Sequence, residues 1–146
     1  MRKHAGICSI ESHSIVTKPW CSNSRTNKLK KIGEFNERFE IVFNTDRQWY
    51  GERRDGAKQY IEMLHENNIK VLVKPQIWVW HGEFTGYLKM TSEENWKLLE
   101  DSYRNFIMEY ATMAAEAEVD LFCIGTELAQ FVAHRPAFWE ALITEI

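Results

Sequence analysis

An acidic residue stands where a short apolar segment of the chain ends. Residues 119–128 read VDLFCIGTEL, an apolar run that stops at Gly125 and is followed two positions later by Glu127. A carboxylate at the end of a buried strand lies at the rim of the core, half shielded from water, where its proton affinity can be tuned for catalysis. Glu127 is therefore the first candidate for a catalytic residue.

A second segment changes from apolar to polar in the same way. Residues 69–76 read IKVLVKPQ and predict a strand that runs into an aromatic loop. Alternation along this strand puts Lys74 and Gln76 on one face, and Trp78 and Trp80 continue that face if the strand runs on. The carboxyl ends of parallel strands form the ligand-binding face of α/β barrels and open α/β sheets. These four side chains are therefore candidate ligand contacts.

Helical periodicity flanks the two predicted strands. A first helix is predicted over residues 52–67, and its inner face is Ala57, Tyr60, Ile61 and Leu64. A longer helix is predicted from a capping box, in which Thr91 and Glu94 satisfy each other's backbone amides, to about Glu118. Its apolar stripe consists of Trp96, Leu99, Tyr103, Phe106, Ile107, Tyr110 and Met113.

A third helix is predicted from Pro136 to the last residue, because proline is favoured in a first turn. Its inner side is Phe138, Trp139, Leu142 and Ile143. The order helix, strand, helix, strand, helix favours a parallel sheet with right-handed crossovers, so the fold class is α/β. A (β/α)₈ TIM barrel typically needs about 250 residues. The 146-residue chain would therefore supply about the first half of such a barrel.

The barrel-like pattern does not extend to the start of the chain. We expect a partial TIM-barrel domain over residues 41–146 and a poorly defined segment over residues 1–40. Within that segment, candidate strands lie at residues 6–10 and 39–43, and residues 28–32 resemble the end of a helix.

Composition excludes several classes of protein. The chain is 45% hydrophobic and 27% charged, with a net charge of −3 and a pI near 6.0, which is ordinary for a globular domain. Without a basic stripe, there is no electrostatic case for binding nucleic acid or an anionic membrane. The apolar runs are too short to cross a bilayer, and we identify no signal peptide at the N-terminus.

Metal and cofactor chemistry finds no support in the sequence. The three cysteines, Cys8, Cys21 and Cys123, lack the paired spacing of a zinc site, and Cys123 fits a buried free thiol. The five histidines are scattered, and no phosphate-binding loop or nucleophile elbow occurs. His81 alone follows a predicted strand end, where it is a candidate ligand contact. We therefore expect no cofactor and no metal.

Three segments together resemble glycoside hydrolase family 113. They are RQWYGER at residues 47–53, KPQIWVW at residues 74–80 and IGTEL at residues 124–128, and the resemblance covers roughly residues 41–146. Each motif alone is weak, but all three follow predicted strands in the same order. The family is similar to the larger clan of retaining (β/α)₈ glycosidases and includes β-mannanases. The resemblance thus implies a carbohydrate substrate, a β-linked polysaccharide or oligosaccharide such as mannan.

The resemblance also implies a role for individual residues. Glu127, after the fourth barrel strand, would be the general acid/base, and Thr126 stands where many relatives in the clan have Asn. The nucleophile of the family lies on the seventh strand, so no residue of this chain matches it, and we expect the isolated chain to show negligible hydrolysis. The implied sugar contacts are Trp49, Lys74, Gln76, Trp78, Trp80, His81 and Thr126.

Other interpretations remain open at this point. Glu127 would also be explained if it simply began the next helix, where a negative charge is favoured by the helix dipole. The chain would be a non-catalytic α/β domain if the aromatic loop at residues 76–86 bound a carbohydrate or a protein without turnover. An unrelated flavodoxin-like chain would show an open five-stranded sheet. Half a barrel would leave sheet edges exposed, which favours self-association.

Overall fold

The structure is a computed structural model that describes residues 13–17, 20–23, 39–46, 48–79 and 84–146, with backbone only for residues 13–17, 20–23 and 39. Its helices are α1 (Arg54–Glu66), α2 (Glu93–Glu116), α3 (Ala129–His134) and α4 (Pro136–Glu145). Its strands are β1 (His13–Thr17), β2 (Trp20–Asn23), β3 (Phe39–Val42), β4 (Val71–Pro75), β5 (Trp78–Val79) and β6 (Leu121–Phe122). Single 3₁₀ turns occur at Tyr50–Glu52 and Thr85–Tyr87.

The central sheet is parallel and has the order β1-β4-β6. Leu72 of β4 pairs with Ser14 of β1 on one side and with Leu121 of β6 on the other. The chain leaves β4, passes through α2 and returns as β6, which makes a βαβ unit. The predicted alternation of helices and parallel strands is confirmed.

A second sheet, of order β3-β2-β5, lies beyond the end of β4. Trp20 of β2 pairs antiparallel with Val42 and parallel with Trp78. Strand β4 ends at Pro75 and Trp78 belongs to this second sheet, but residues 71–79 keep one alternation of buried and more open positions, in which Lys74, Gln76 and Trp78 share the open side. The strand predicted at residues 39–43 exists as β3, but it runs antiparallel to its partner instead of joining the parallel sheet.

Strand β6 is shorter than the apolar run that encodes it. The side chain of Asp120 accepts a hydrogen bond from the Val71 amide at 2.8 Å, so a side chain replaces the backbone carbonyl at the start of the ladder. The ladder then extends as far as the Cys123 amide, which donates to the carbonyl of Val73 at 2.9 Å. After Cys123 the chain turns away and carries Glu127 out of the sheet.

The core lies between the central sheet and α2. All seven residues of the predicted stripe on α2 are buried, from Trp96 to Met113, and so are Ala57, Ile61 and Leu64 of α1. On α4, Trp139 and Leu142 are buried as predicted. Two residues assigned to inner faces are instead exposed, Tyr60 at 40% and Ile143 at 60%, because each lies at the edge of its helical stripe.

Two details of the helices differ from the sequence prediction. The N-cap of α2 is Ser92, whose hydroxyl accepts from the Asn95 amide, and not Thr91 one residue earlier. A short helix, α3, also precedes the predicted third helix. Within the described residues, no helix is both long and apolar enough to span a bilayer. The predicted strand at residues 6–10 and helix end at residues 28–32 lie outside the described residues.

Candidate active site

The ends of β4 and β6 bring two predicted site residues into contact. The side-chain amide of Gln76 donates a hydrogen bond from Nε2 to Oε2 of Glu127 at 2.8 Å. Gln76 follows β4 directly, and Glu127 lies in the turn after β6, so the contact exists because these parallel strands are neighbours. The fold thus brings Gln76 and Glu127, two of the predicted site residues, together at the strand ends.

The Glu127 carboxyl group is more open to water than the sequence predicts. Glu127 is an exposed residue, whereas we expected one half shielded by the core. A carboxylate at this position can reach a ligand that binds across the strand ends.

The helix-start explanation of Glu127 is not supported by its contacts. Helix α3 begins at Ala129 with Leu128 as its N-cap, and no acidic residue lies in its first turn. The hydrogen bond of Glu127 goes instead to Gln76, across the strand ends. The backbone of Glu127 has φ = 55°, the left-handed region, which costs a non-glycine residue about 1–2 kcal/mol. Such a conformation persists only where its surroundings enforce it.

The turn that carries Glu127 is held from within the core. The hydroxyl of Tyr103, on α2, donates to the carbonyl of Ile124 at 2.9 Å, and the thiol of Cys123 donates to the carbonyl of Gly125 at 3.2 Å. The Cys123 sulfur also lies 3.9 Å from Oγ1 of Thr126. Burial raises the pKa of the Tyr103 phenol far above its usual value, so it stays protonated and remains a donor.

A depression of about 480 Å³ surrounds this turn. Residues 124–129 form one side, and Val132, Ala133 and Trp139 form the other. Glu127 and Thr126 are its polar side chains, while the opposite wall is apolar. An apolar depression with few convergent polar groups is the usual form of a small-molecule site.

The remaining predicted site residues are placed less closely. Lys74 is half-buried on β4, two residues before Gln76, and Trp78 is 45% exposed just beyond it. Trp49 is 81% exposed at the start of a 3₁₀ turn before α1, and no described hydrogen bond or ring contact joins it to Glu127. Trp80 and His81 lie outside the described residues.

A second depression, of about 510 Å³, lies on the outer side of α1. Its lining comes from α1 and the preceding turn, and it includes Tyr50, Gln59, Tyr60, Glu62, Met63 and Glu66. No strand end contributes to it, and none of the predicted site residues lines it. Although it is slightly larger, we do not regard it as the active site, because its carboxylates lie on the solvated face of a helix.

Among the described residues, no cluster of three or more His, Cys, Asp or Glu side chains is placed to hold a metal ion.

The two residues that the sequence interpretation missed are Tyr103 and Trp139, which it assigned to packing alone. Their spacing marks them as buried, but their contacts with the turn after β6 come only from the fold.

The alternation of parallel strands and helices, with polar side chains at the strand ends, is that of part of a TIM barrel. The model of Glycoside Hydrolase Family 113 matches residues 27–146, and the chain belongs to that family. The family and the partial TIM-barrel fold predicted from the sequence are both confirmed. No curated protein matches the chain significantly.

Solved structures of the same family share the fold. A complex of a GH113 β-1,4-mannanase superposes with a TM-score of 0.73 and 18% identity, over 92% of this chain and 40% of that chain. The GH113 β-mannanase AaManA from Alicyclobacillus acidocaldarius, in complex with ManMIm, gives a TM-score of 0.66 and 23% identity, over 80% and 38%. A further GH113 β-1,4-mannanase gives 0.70 and 19%, over 92% and 40%. The chain thus spans about two fifths of these structures.

Proposed function

We propose that this chain carries the acid/base half of a retaining glycosidase site, with Glu127 as the general acid/base. The observation that carries the proposal is the exposed Glu127 carboxylate at the strand ends, held by the side-chain amide of Gln76. The amide of Gln76 has no titratable proton near neutral pH. It therefore orients the carboxyl group without competing for the proton that Glu127 must transfer.

The chemistry needs two carboxyl groups. In retaining glycosidases they lie about 5–5.5 Å apart, and one protonates the departing oxygen while the other attacks the anomeric carbon. Glu127 would first donate its proton to the glycosidic oxygen. As a carboxylate it would then take a proton from the water that hydrolyses the glycosyl intermediate. The attacking carboxylate would come from outside these residues, so we expect the 146-residue chain alone to release negligible reducing sugar.

The substrate we propose is a β-1,4-linked mannan or manno-oligosaccharide. Support comes from the similar folds described as β-mannanases. Trp78, which is 45% exposed beyond β4, offers an indole face to the apolar face of a pyranose ring. Thr126 and Lys74 are the proposed polar contacts, and Trp49 is a more distant platform.

An affinity label tests the role of Glu127 without requiring turnover. An N-bromoacetyl β-mannobiosylamine places an electrophilic carbon close to where the glycosidic oxygen would lie. A carboxylate in the acid/base position displaces bromide and forms an ester, which adds the mass of the label to one peptide. We expect a single adduct, mapped by mass spectrometry to Glu127, and we expect mannotetraose to slow its formation.

Two variants control this experiment. Glu127→Gln removes the nucleophilic oxygen while keeping the shape, and it should abolish the adduct. Glu118→Gln removes the carboxylate of another glutamate whose backbone has a positive φ, and this change should leave labelling unchanged. Labelling that spreads over surface carboxylates, or that persists in Glu127→Gln, would show that Glu127 is not in the acid/base position.

A further inference from the structure

Gly125 has a side of its backbone that no side chain could occupy. A Cβ atom at this position would lie 2.9 Å from Cη2 and 3.0 Å from Cζ3 of Trp139, and 3.6 Å from the Tyr103 hydroxyl oxygen. Its φ is outside the left-handed region, so backbone conformation does not explain the glycine. The glycine is explained by the close approach of the Trp139 ring.

Trp139 cannot easily retreat from this contact. The residue is 6% exposed, and its ring packs against those of Tyr103, Phe131 and Phe138 at centroid distances of 5.3, 5.2 and 5.6 Å. Rings in such a cluster are close-packed, so a displaced indole would displace its neighbours as well. The indole is therefore a firm surface behind Gly125.

The helix that carries Trp139 is itself fixed to α2. Arg135, the N-cap of α4, forms ion pairs with Glu93 and Glu100, and its guanidinium lies 5.8 Å from the ring centroid of Trp96. The hydrogen bonds from Arg135 to Glu100 and Glu93 raise the pKa of the guanidinium above its usual value, so the charge is permanent. These contacts fix the start of α4 against α2. They therefore also fix the position of Trp139 relative to the turn after β6.

The turn after β6 is consequently confined on both sides. On the side of the core, Tyr103 donates a hydrogen bond to the carbonyl of Ile124, and the ring of Trp139 packs against Gly125. At the strand ends, Gln76 donates a hydrogen bond to the Glu127 carboxylate. Only Thr126 separates Gly125 from Glu127, whose backbone has φ = 55°. A displacement at Gly125 is therefore transmitted to the carboxyl group.

We propose that Trp139 is a positioning residue, and that its contact with Gly125 sets where the Glu127 carboxyl group lies relative to Gln76. The proposal deepens the function proposed above and rests on it for its catalytic meaning. Trp139 touches the turn and acts on the chemistry only through Glu127. The contact depends on the absence of a side chain at Gly125 and on the large ring of Trp139. It can therefore be tested by enlarging the residue at position 125 and reducing the ring at position 139.

The side-chain amide of Gln76 reports on this geometry in the full chain. A hydrogen bond to a carboxylate shifts one of the two Nε2 protons downfield, so ¹⁵N-correlated NMR shows a widely separated pair. Glu127→Gln identifies the signal, because it narrows the separation. We expect Gly125→Ala to narrow the separation as well, since the new Cβ meets the indole. Gly51→Ala is the matched control, because a Cβ there meets nothing within 4 Å, and it should leave the pair unchanged.

Rescue distinguishes positioning from general damage. Trp139→Phe shortens the ring, so the double variant Gly125→Ala/Trp139→Phe should recover the wide separation, while Trp139→Phe alone should narrow it by leaving a gap. Far-UV circular dichroism checks that each variant is folded, and if Gly125→Ala is not, Trp139→Phe alone decides the question. An unchanged separation in Trp139→Phe, or a folded double variant without recovery, would overturn the proposal.

This experiment and the affinity label can fail independently. The NMR pair reports whether Trp139 places the carboxyl group, whatever that group does. The label reports whether the carboxyl group faces a sugar. A positive NMR result with no labelling would retain Trp139 as a positioning residue for Glu127 and reject the catalytic role.

Discussion

Two turns of this protein each hold a glutamate in the left-handed backbone region, and they do so for different reasons. Glu118, after α2, has φ = 52°, and Glu127, after β6, has φ = 55°. At the first turn the helix end supplies the cause: the amides of Glu118 and Val119 donate to the carbonyls of Ala115 and Ala114. Helices commonly end on one left-handed residue with such bonds.

At the second turn no helix precedes the glutamate. The turn instead contacts side chains from three other elements: Tyr103 of α2, Trp139 of α4 and Gln76 after β4. The comparison shows that one conformation can be a local by-product of a helix end or a feature that tertiary contacts maintain. Strain of the second kind is typical of functional sites.

Removal of the indole behind the second turn should have the largest effect. Trp139→Ala deletes a buried ring from the aromatic cluster, and we expect a loss of about 3–5 kcal/mol in the free energy of unfolding, measured with urea. Ile143→Ala on the same helix, where the side chain is 60% exposed, should change it by less than about 0.5 kcal/mol. Similar losses in both variants would mean that Trp139 contributes no special support.

Removal of one hydrogen bond should have an intermediate effect. Tyr103→Phe leaves the Ile124 carbonyl without its donor, and we expect a loss of about 1–3 kcal/mol. Tyr110→Phe is a matched control, because its hydroxyl donates to the Glu52 carbonyl far along the chain from the turn. Both variants should lose stability, but only Tyr103→Phe should weaken affinity labelling. Equal labelling in the two would contradict the role of Tyr103 at the turn.

The two glutamates themselves provide a smaller and sharper test. Glu118→Gly relieves the left-handed strain at a helix end, and we expect a gain of about 0.5–1 kcal/mol in thermal or urea unfolding. Glu127→Gly relieves the same strain but loses the hydrogen bond from Gln76, so its gain should be smaller or absent. Equal gains would indicate that the second turn is no more dependent on tertiary contacts than the first.

The smallest expected effect is on stability at acid pH and concerns Asp120, two residues after Glu118. The hydrogen bond from the Val71 amide holds the pKa of Asp120 below its usual value of 3.8, with help from the nearby charges of Lys70 and His65. The stabilisation is thus complete above the unfolded-state pKa and is lost as the pH falls below it. Asp120→Asn should lower the unfolding midpoint at pH 7 and flatten its decline below about pH 4. If the unfolding midpoint of Asp120→Asn fell with decreasing pH as steeply as that of the unmodified chain, other carboxylates would be responsible for the loss of stability in acid.

The sequence predicted what depends on periodicity. Helix α2 could be predicted because its buried residues recur every three or four positions, and the family resemblance located Glu127 because its motif is local. The capping-box pattern predicted Thr91 as the N-cap of α2, whereas the folded chain uses the Ser92 hydroxyl, which accepts from the Asn95 amide. The break after Pro75, which moves Trp78 to another sheet, depends on β2 and could not be read from β4 alone.

The support of the site was beyond the sequence for a similar reason. In the sequence, neither Trp139 nor Gly125 stands out, because an apolar tryptophan in a helix and a glycine near a glutamate are both common. The Trp139 ring lies where it would be 2.9 Å from a Cβ at position 125, and this proximity exists only because the chain folds α4 next to the turn after β6. Side-chain contacts between different elements carry no periodic signal.

The central claim is that Glu127 faces the glycosidic oxygen of a manno-oligosaccharide, and a crystal structure of the chain with mannotetraose tests it most directly. We predict that a glycosidic oxygen lies within hydrogen-bond reach of the Glu127 carboxyl group, about 2.6–3.2 Å, with a sugar ring against Trp78. Mannotetraose bound instead between Tyr50 and Tyr60 on the outer side of α1, with the strand ends empty, would contradict it.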